Sequence, residues 1–134
     1  MTIQKMLDLI IEAMQDERHD RRKYALMMGM TNSTLIRNQI RFAYVDEGIH
    51  YRMFRRIYFE LTGKWIDVVR PPVNLAPTLI ENVKTSIDGE LGAVEMYRQI
   101  RAMLSSNSMR DRLFRIITDE QEHAARFVYI YMLY

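Results

Sequence analysis

The chain has 134 residues, 49% hydrophobic and 27% charged, with 19 basic side chains against 17 acidic ones. That length suits a single domain over 1–134, which buries roughly two-thirds of its unfolded surface. The lack of Cys excludes disulfide scaffolds, thiol nucleophiles, iron–sulfur clusters and Cys-based zinc sites, and no apolar run reaches the ~20 residues of a membrane span.

From Met1 to Met14, Lys5, Asp8 and Glu12 recur at helical spacing, which reads as a first helix rather than a signal peptide. A cytoplasmic protein is expected. Apolar residues Ile3, Met6, Leu7, Ile10, Ile11 and Met14 mark the buried stripe of that helix. Breakers follow at Gly29 to Thr34, with Thr31, Asn32, Ser33 and Thr34 available as caps. The second segment carries Ile36, Ile40, Ala43, Ile49, Met53, Phe54 and Ile57 at the same spacing. It ends in Thr62 to Pro77, where Gly63, Pro71, Pro72, Asn74 and Pro77 impose an extended connection. Trp65 there is expected to seal a bundle end. Two more helix-forming segments flank a short break at Ser105 to Ser108. No alternating strand pattern competes. The fold class is all-α: two antiparallel helical hairpins joined by one long crossover, a four-helix bundle.

The halves also match. A shift of 73 residues pairs Glu17 with Glu90, Tyr24 with Tyr97, Met30 with Met103 and Arg37 with Arg110. It continues through Asp46/Asp119, Glu47/Glu120, His50/His123, Phe54/Phe127, Ile57/Ile130 and Tyr58/Tyr131 without a gap. The period is one helical hairpin, so a pseudo-two-fold axis is expected.

Two of the three His residues share one motif, Asp46-Glu47-x-x-His50 and Asp119-Glu120-x-x-His123. On a helix, positions i and i+3 project from one face, and here that face is apolar. Helices one and three add Glu17 and Glu90 at matching points, each with a Tyr seven residues on. Four buried unpaired carboxylates would cost several kcal/mol per charge. No Lys or Arg occupies the corresponding inward positions, whereas two divalent metals would balance four carboxylates and two neutral imidazoles. One Glu from each of two helices, with Glu-x-x-His from each of the others, is the pattern of carboxylate-bridged dimetal bundles. Oxygen and imidazole donors suit two Fe ions per chain, with Mn or Zn as substitutes.

Glu17-x-x-Asp20-x-x-x-Tyr24, its repeat Glu90-x-x-Ala93-x-x-x-Tyr97, the stretch Asp46 to Gly63 and the run Asp119-Glu120-Gln121-Glu122-His123 resemble the ferritin-like superfamily. Within it, the likeness is to small rubrerythrin-like proteins of Gram-positive bacteria. The resemblance implies that Glu47 and Glu120 bridge two metals, Glu17 and Glu90 are terminal ligands, and His50 and His123 cap one metal each. It further implies that Asp46 orients His123 and Asp119 orients His50. Tyr24 and Tyr97 are candidate donors to the terminal Glu residues. The implied activity is that of an oxidoreductase reacting with O₂ or H₂O₂, ferroxidase- or peroxidase-like, with electrons supplied by a separate protein. A non-catalytic metal-binding or structural role, associated with spores or dormant cells, is the alternative.

The sequence also departs from the pattern. A full rubrerythrin adds a Cys-ligated iron domain, whereas this sequence has no Cys, and Ala93 stands where peroxidase rubrerythrins carry an extra Glu; Asp20 is the one weak substitute. Gly48 stands at the haem-Met position, so no haem is expected, and with Tyr134 closing the fourth helix a storage cage is not expected either. His19 lies about 200° off the ligand stripe, at 100° per residue, and reads as a surface residue. The eleven Met residues read as core filler. Fifteen of the basic residues are Arg, interleaved with acids, which reads as solvated faces with i,i+4 pairs rather than a nucleic-acid surface. The aromatic run Phe127 to Tyr134 is more apolar than one helix face needs, and a homodimer is expected.

Overall fold

The computed structural model describes residues 2–134; Met1, the start of the first predicted segment, lies outside them. Four helices follow in order: α1 (Ile3–Met28), α2 (Thr34–Thr62), α3 (Leu79–Met103) and α4 (Asn107–Met132). At ~1.5 Å per residue each is about 40 Å long. Side-chain oxygens of Thr2, Ser33, Thr78 and Ser106 cap the four N-termini, and Glu81 completes a reciprocal capping box with Thr78. Gly63, at φ 75°, takes the left-handed conformation that ends α2 and bonds its N–H to the Phe59 carbonyl. No strand forms among the described residues.

α1 packs on α2 and α3 on α4 as two hairpins, and the hairpins meet through α1 with α3 and α2 with α4. The connection over 63–78 runs alongside. Arg18 Nη1 donates to the Val68 carbonyl at 3.0 Å and Arg55 Nε to the Ile66 carbonyl at 2.8 Å. At its far end, buried Asn82 accepts from Ala76 N at 2.9 Å and donates to the Thr78 carbonyl at 2.8 Å. These bonds satisfy an extended backbone that has no sheet partner. Trp65 seals nothing. It is half-exposed, stacked on Phe59 with centroids 4.3 Å apart and under the Arg55 guanidinium. The crossover leaves α2 along its flank, so the indole meets that helix's side rather than the bundle end. Ile3 also falls outside the predicted stripe, exposed at the first turn, while Leu9 and Ala13 are buried in it.

The apolar interior is split in two. One cluster holds Met6, Ile10, Met14, Phe54, Ile57, Tyr97, Ile100, Leu113 and Ile116. The other holds Tyr24, Met27, Ile40, Ala43, Val83, Phe127 and Ile130. Along every helix a stretch with buried Glu or Glu and His separates the two.

Candidate metal centre

Six ionisable side chains occupy the layer between the clusters: Glu17 of α1, Glu47 and His50 of α2, Glu90 of α3, and Glu120 and His123 of α4. Each is at most 1% exposed. They are there because helical periodicity puts them on the same stripe as the flanking Ile, Met and Phe residues. One ligand atom from each of Glu17, Glu47, His50 and Glu120 falls within 4.8 Å of the others, and so do those of Glu47, Glu90, Glu120 and His123. Glu47 and Glu120 belong to both sets. Two adjoining four-residue sets therefore share two carboxylates.

The imidazoles are held from outside. His50 Nε2 donates to Asp119 Oδ2 at 2.8 Å and His123 Nε2 to Asp46 Oδ2 at 2.7 Å, each bond crossing between α2 and α4. This fixes both Nδ1 atoms toward the centre. His50 Nδ1 lies 2.9 Å from Glu120 Oε1, and His123 Nδ1 lies 3.2 Å from Glu47 Oε1. The tyrosines cross as well, from one hairpin to the other. Tyr97 Oη donates to Glu17 Oε1 at 2.6 Å, and Tyr24 Oη donates to Glu90 Oε1. Each ring also packs on a Phe of the flanking clusters, Tyr24 on Phe127 and Tyr97 on Phe54, both at 5.0 Å.

After these bonds, eight buried atoms still have no hydrogen-bond partner: Glu17 Oε2, Glu90 Oε2, both carboxylate oxygens of Glu47 and Glu120, and Nδ1 of both histidines. Buried polar atoms are almost always satisfied. Eight orphans gathered in one layer, all carboxylate oxygen or imidazole nitrogen, could hold a metal ion.

Protons carry the load in the metal-free protein. Burial, and then the charges of neighbouring Glu residues, pushes the Glu47 and Glu120 carboxyls well above the usual range. Burial pulls the His50 imidazole down, yet its bond to Asp119 and the nearby Glu17 carboxylate outweigh it and lift it to about 9. His123 is likewise lifted to about 9 by Asp46 and Glu90 against the same burial. Burial raises the Glu90 carboxyl, but the close approach of Glu120 and His123 holds it below its usual value. Burial followed by the nearby carboxylates lifts the Tyr24 and Tyr97 hydroxyls, so both stay protonated as donors.

Asp20 is not among the converging atoms. Its short side chain stops in a cavity lined by Glu12, Asp16, Asp20 and Ala93, where it accepts from His19 Nδ1 at 2.9 Å. Sequence reasoning also misjudged the arginines. Arg112, Arg115 and Arg126 do pair with acids, but among the described residues Arg18, Arg21, Arg22 and Arg52 form no ion pair. Of these only Arg18 adjoins an acid of the buried stripe, Glu17.

No family model matches this chain. Over 60 residues it is 32% identical to the uncharacterized protein YhjR of Bacillus subtilis (strain 168), a stretch covering 45% of this chain and 41% of that relative. Among the described residues no helix is long and apolar enough to cross a membrane.

Proposed function

We propose that this chain is a ferritin-like, carboxylate-bridged dimetal protein that binds two Fe ions and reacts as an oxidoreductase with O₂ or H₂O₂. The observation carrying this reading is the set of eight unpartnered buried donor atoms at two adjoining sites that share Glu47 and Glu120. In it Glu47 and Glu120 would be shared by the two ions, with Glu17 and His50 completing one set and Glu90 and His123 the other. The Tyr24–Glu90 and Tyr97–Glu17 bonds, and likewise His50–Asp119 and His123–Asp46, exchange under the 73-residue shift and support the pseudo-two-fold relation behind that assignment.

Two iron ions held there would supply one electron each for the reduction of O₂ or H₂O₂. The chain's own contribution is geometric and electrostatic. Asp46 and Asp119 orient the imidazoles. Tyr24 and Tyr97 hold a proton on the outer oxygen of each terminal carboxylate, and the apolar clusters keep water from both ends. Metal analysis of protein purified with iron should give close to two ions per chain, and E47A/E120A should hold none. Retention of two ions by that variant refutes the centre. Stopped-flow mixing of the iron(II)-loaded protein with O₂ and with H₂O₂ then identifies the oxidant; equally slow oxidation by both assigns a non-catalytic role.

A homodimer accompanies this reading. Val128, Tyr129, Tyr131 and Met132 of α4 are exposed, an apolar surface suited to a second copy. Light scattering should give twice the 16.1 kDa chain mass. A particle of a dozen or more chains would mean a storage shell instead.

A further inference from the structure

The groove between α1 and α2 contains a cavity of about 280 Å³ lined by Glu17, Glu47, Arg18, Arg21, Tyr51 and Arg52. A neighbouring cavity of about 170 Å³ shares Arg18 and Arg21 and adds Arg22 and Arg70. Five guanidinium groups thus gather beside a cavity that Glu17 and Glu47 also line. The ion-paired arginines lie elsewhere, at Arg55, Arg98, Arg112, Arg115 and Arg126. Two of the groove's arginines are instead steadied by neutral groups. Arg18 donates to the Val68 carbonyl and lies over the Tyr51 ring at 5.2 Å. Arg21 donates to Tyr44 Oη at 2.9 Å and lies over that ring at 4.6 Å. Each such bond uses one of a guanidinium's five N–H donors and leaves the rest free. Gly48 keeps Arg21 in place, since a Cβ there would stand 3.1 Å from Arg21 Nε.

We propose that this groove is a binding site for a small oxyanion of the phosphate class, seated between Arg18, Arg21 and Arg52 at the edge of the Glu/His centre. The proposal rests on the dimetal reading, because the floor of the cavity is Glu17 and Glu47, whose unpartnered oxygens belong to the two ligand sets. Two divalent cations held there would place positive charge beneath the anion. Planar guanidinium forks match a tetrahedral oxyanion through paired N–H bonds, and the cavity is open on its solvent side to admit one. Metal and anion binding are then linked, each strengthening the other by the same factor.

The test uses the full chain loaded with Mn(II), dialysed, and titrated with inorganic phosphate while the ³¹P line is followed. Phosphate seated beside the centre should broaden strongly, and R21Q/R52Q should weaken its binding about tenfold or more with Mn content unchanged. R98Q, on α3, should behave as wild type. Absence of broadening in the loaded wild type, or equal broadening in R21Q/R52Q, overturns the proposal. Acetate binding more tightly than phosphate overturns the phosphate assignment in favour of a carboxylate. If the chain takes up no metal, the dimetal reading has failed on its own. Calorimetric titration of phosphate into that metal-free protein then decides the groove: heat lost in R21Q/R52Q sustains the site, and no heat in wild type overturns it.

Discussion

The Glu/His layer and the two apolar clusters enclosing it are equally buried, yet they are opposite in what burial does to them. In the clusters, removal from water is the stabilising event, at roughly 25 cal/mol per Å² of apolar surface. In the layer between, removal from water is a cost, displayed by eight donor atoms without partners and by the Glu47 and Glu120 carboxyls pushed well above their usual range. The same helical stripe supplies both. The clusters hold the fold together, and the polar layer is tolerated because the rest of the stripe is apolar.

Substitutions that break this contrast should separate stability from metal binding. The largest effect on stability is expected from F54A, which empties a site under Tyr97 in the larger cluster. A loss of about 3–5 kcal/mol should appear in denaturant unfolding, with metal stoichiometry retained. E47Q/E120Q should do the reverse: no metal is bound, while the metal-free protein at pH 8 gains roughly 1–4 kcal/mol because two buried acids no longer have to take up protons on folding. Thermal melts with a chelator present would check it, and a lower melting point than wild type would count against the contrast.

The sign of the pH dependence follows from the same layer. Glu47, Glu120, His50 and His123 all have folded pKa values above their unfolded ones. Their contribution is therefore complete below the unfolded values and is lost as pH rises through the folded ones. For the histidines that window runs from 6.5 to about 9. The metal-free protein should thus lose melting temperature between pH 6.5 and 9, and metal loading should remove the decline. Loading should also release protons, detectable with a pH indicator in weak buffer.

Smaller effects lie at the boundary between the two regions. D119N keeps a partner for His50 Nε2 but removes the charge that orients it, so metal affinity should fall about 10–100-fold, read by competition with a chromogenic chelator. Y24F removes one donor to Glu90 and leaves that carboxylate oxygen unpaired. About 1–3 kcal/mol of stability should go, with two metals still bound.

Much of this was readable from residues alone. The stripe of Ile40, Ala43, Glu47, His50, Phe54 and Ile57 places α2 and two of its site residues at once, because 3.6-residue periodicity depends only on local geometry. The breaks at Gly29 to Thr34 and Ser105 to Ser108 follow from cap and turn chemistry, which is also local. Glu17, Glu47, His50, Glu90, Glu120 and His123 were all nameable before any coordinates, since each is a charged residue on an apolar face.

Tertiary structure decided what depends on distance between helices. Tyr24 reaches Glu90 and Tyr97 reaches Glu17 because each α1 and α3 side chain faces the other hairpin, a choice that spacing within one helix leaves open. Asp20 meets His19 instead of the centre, since one missing methylene stops its carboxylate in the α1/α3 groove. Trp65 lies flat on Phe59 because the crossover follows the flank of α2. The unpaired arginines of the α1/α2 groove look in sequence like those that find acids, and only the packing of two helices separates them. Periodicity along a chain determines which face of each helix is buried; which atoms then meet across the bundle is set by how four such faces register, and that is a property of the assembled fold.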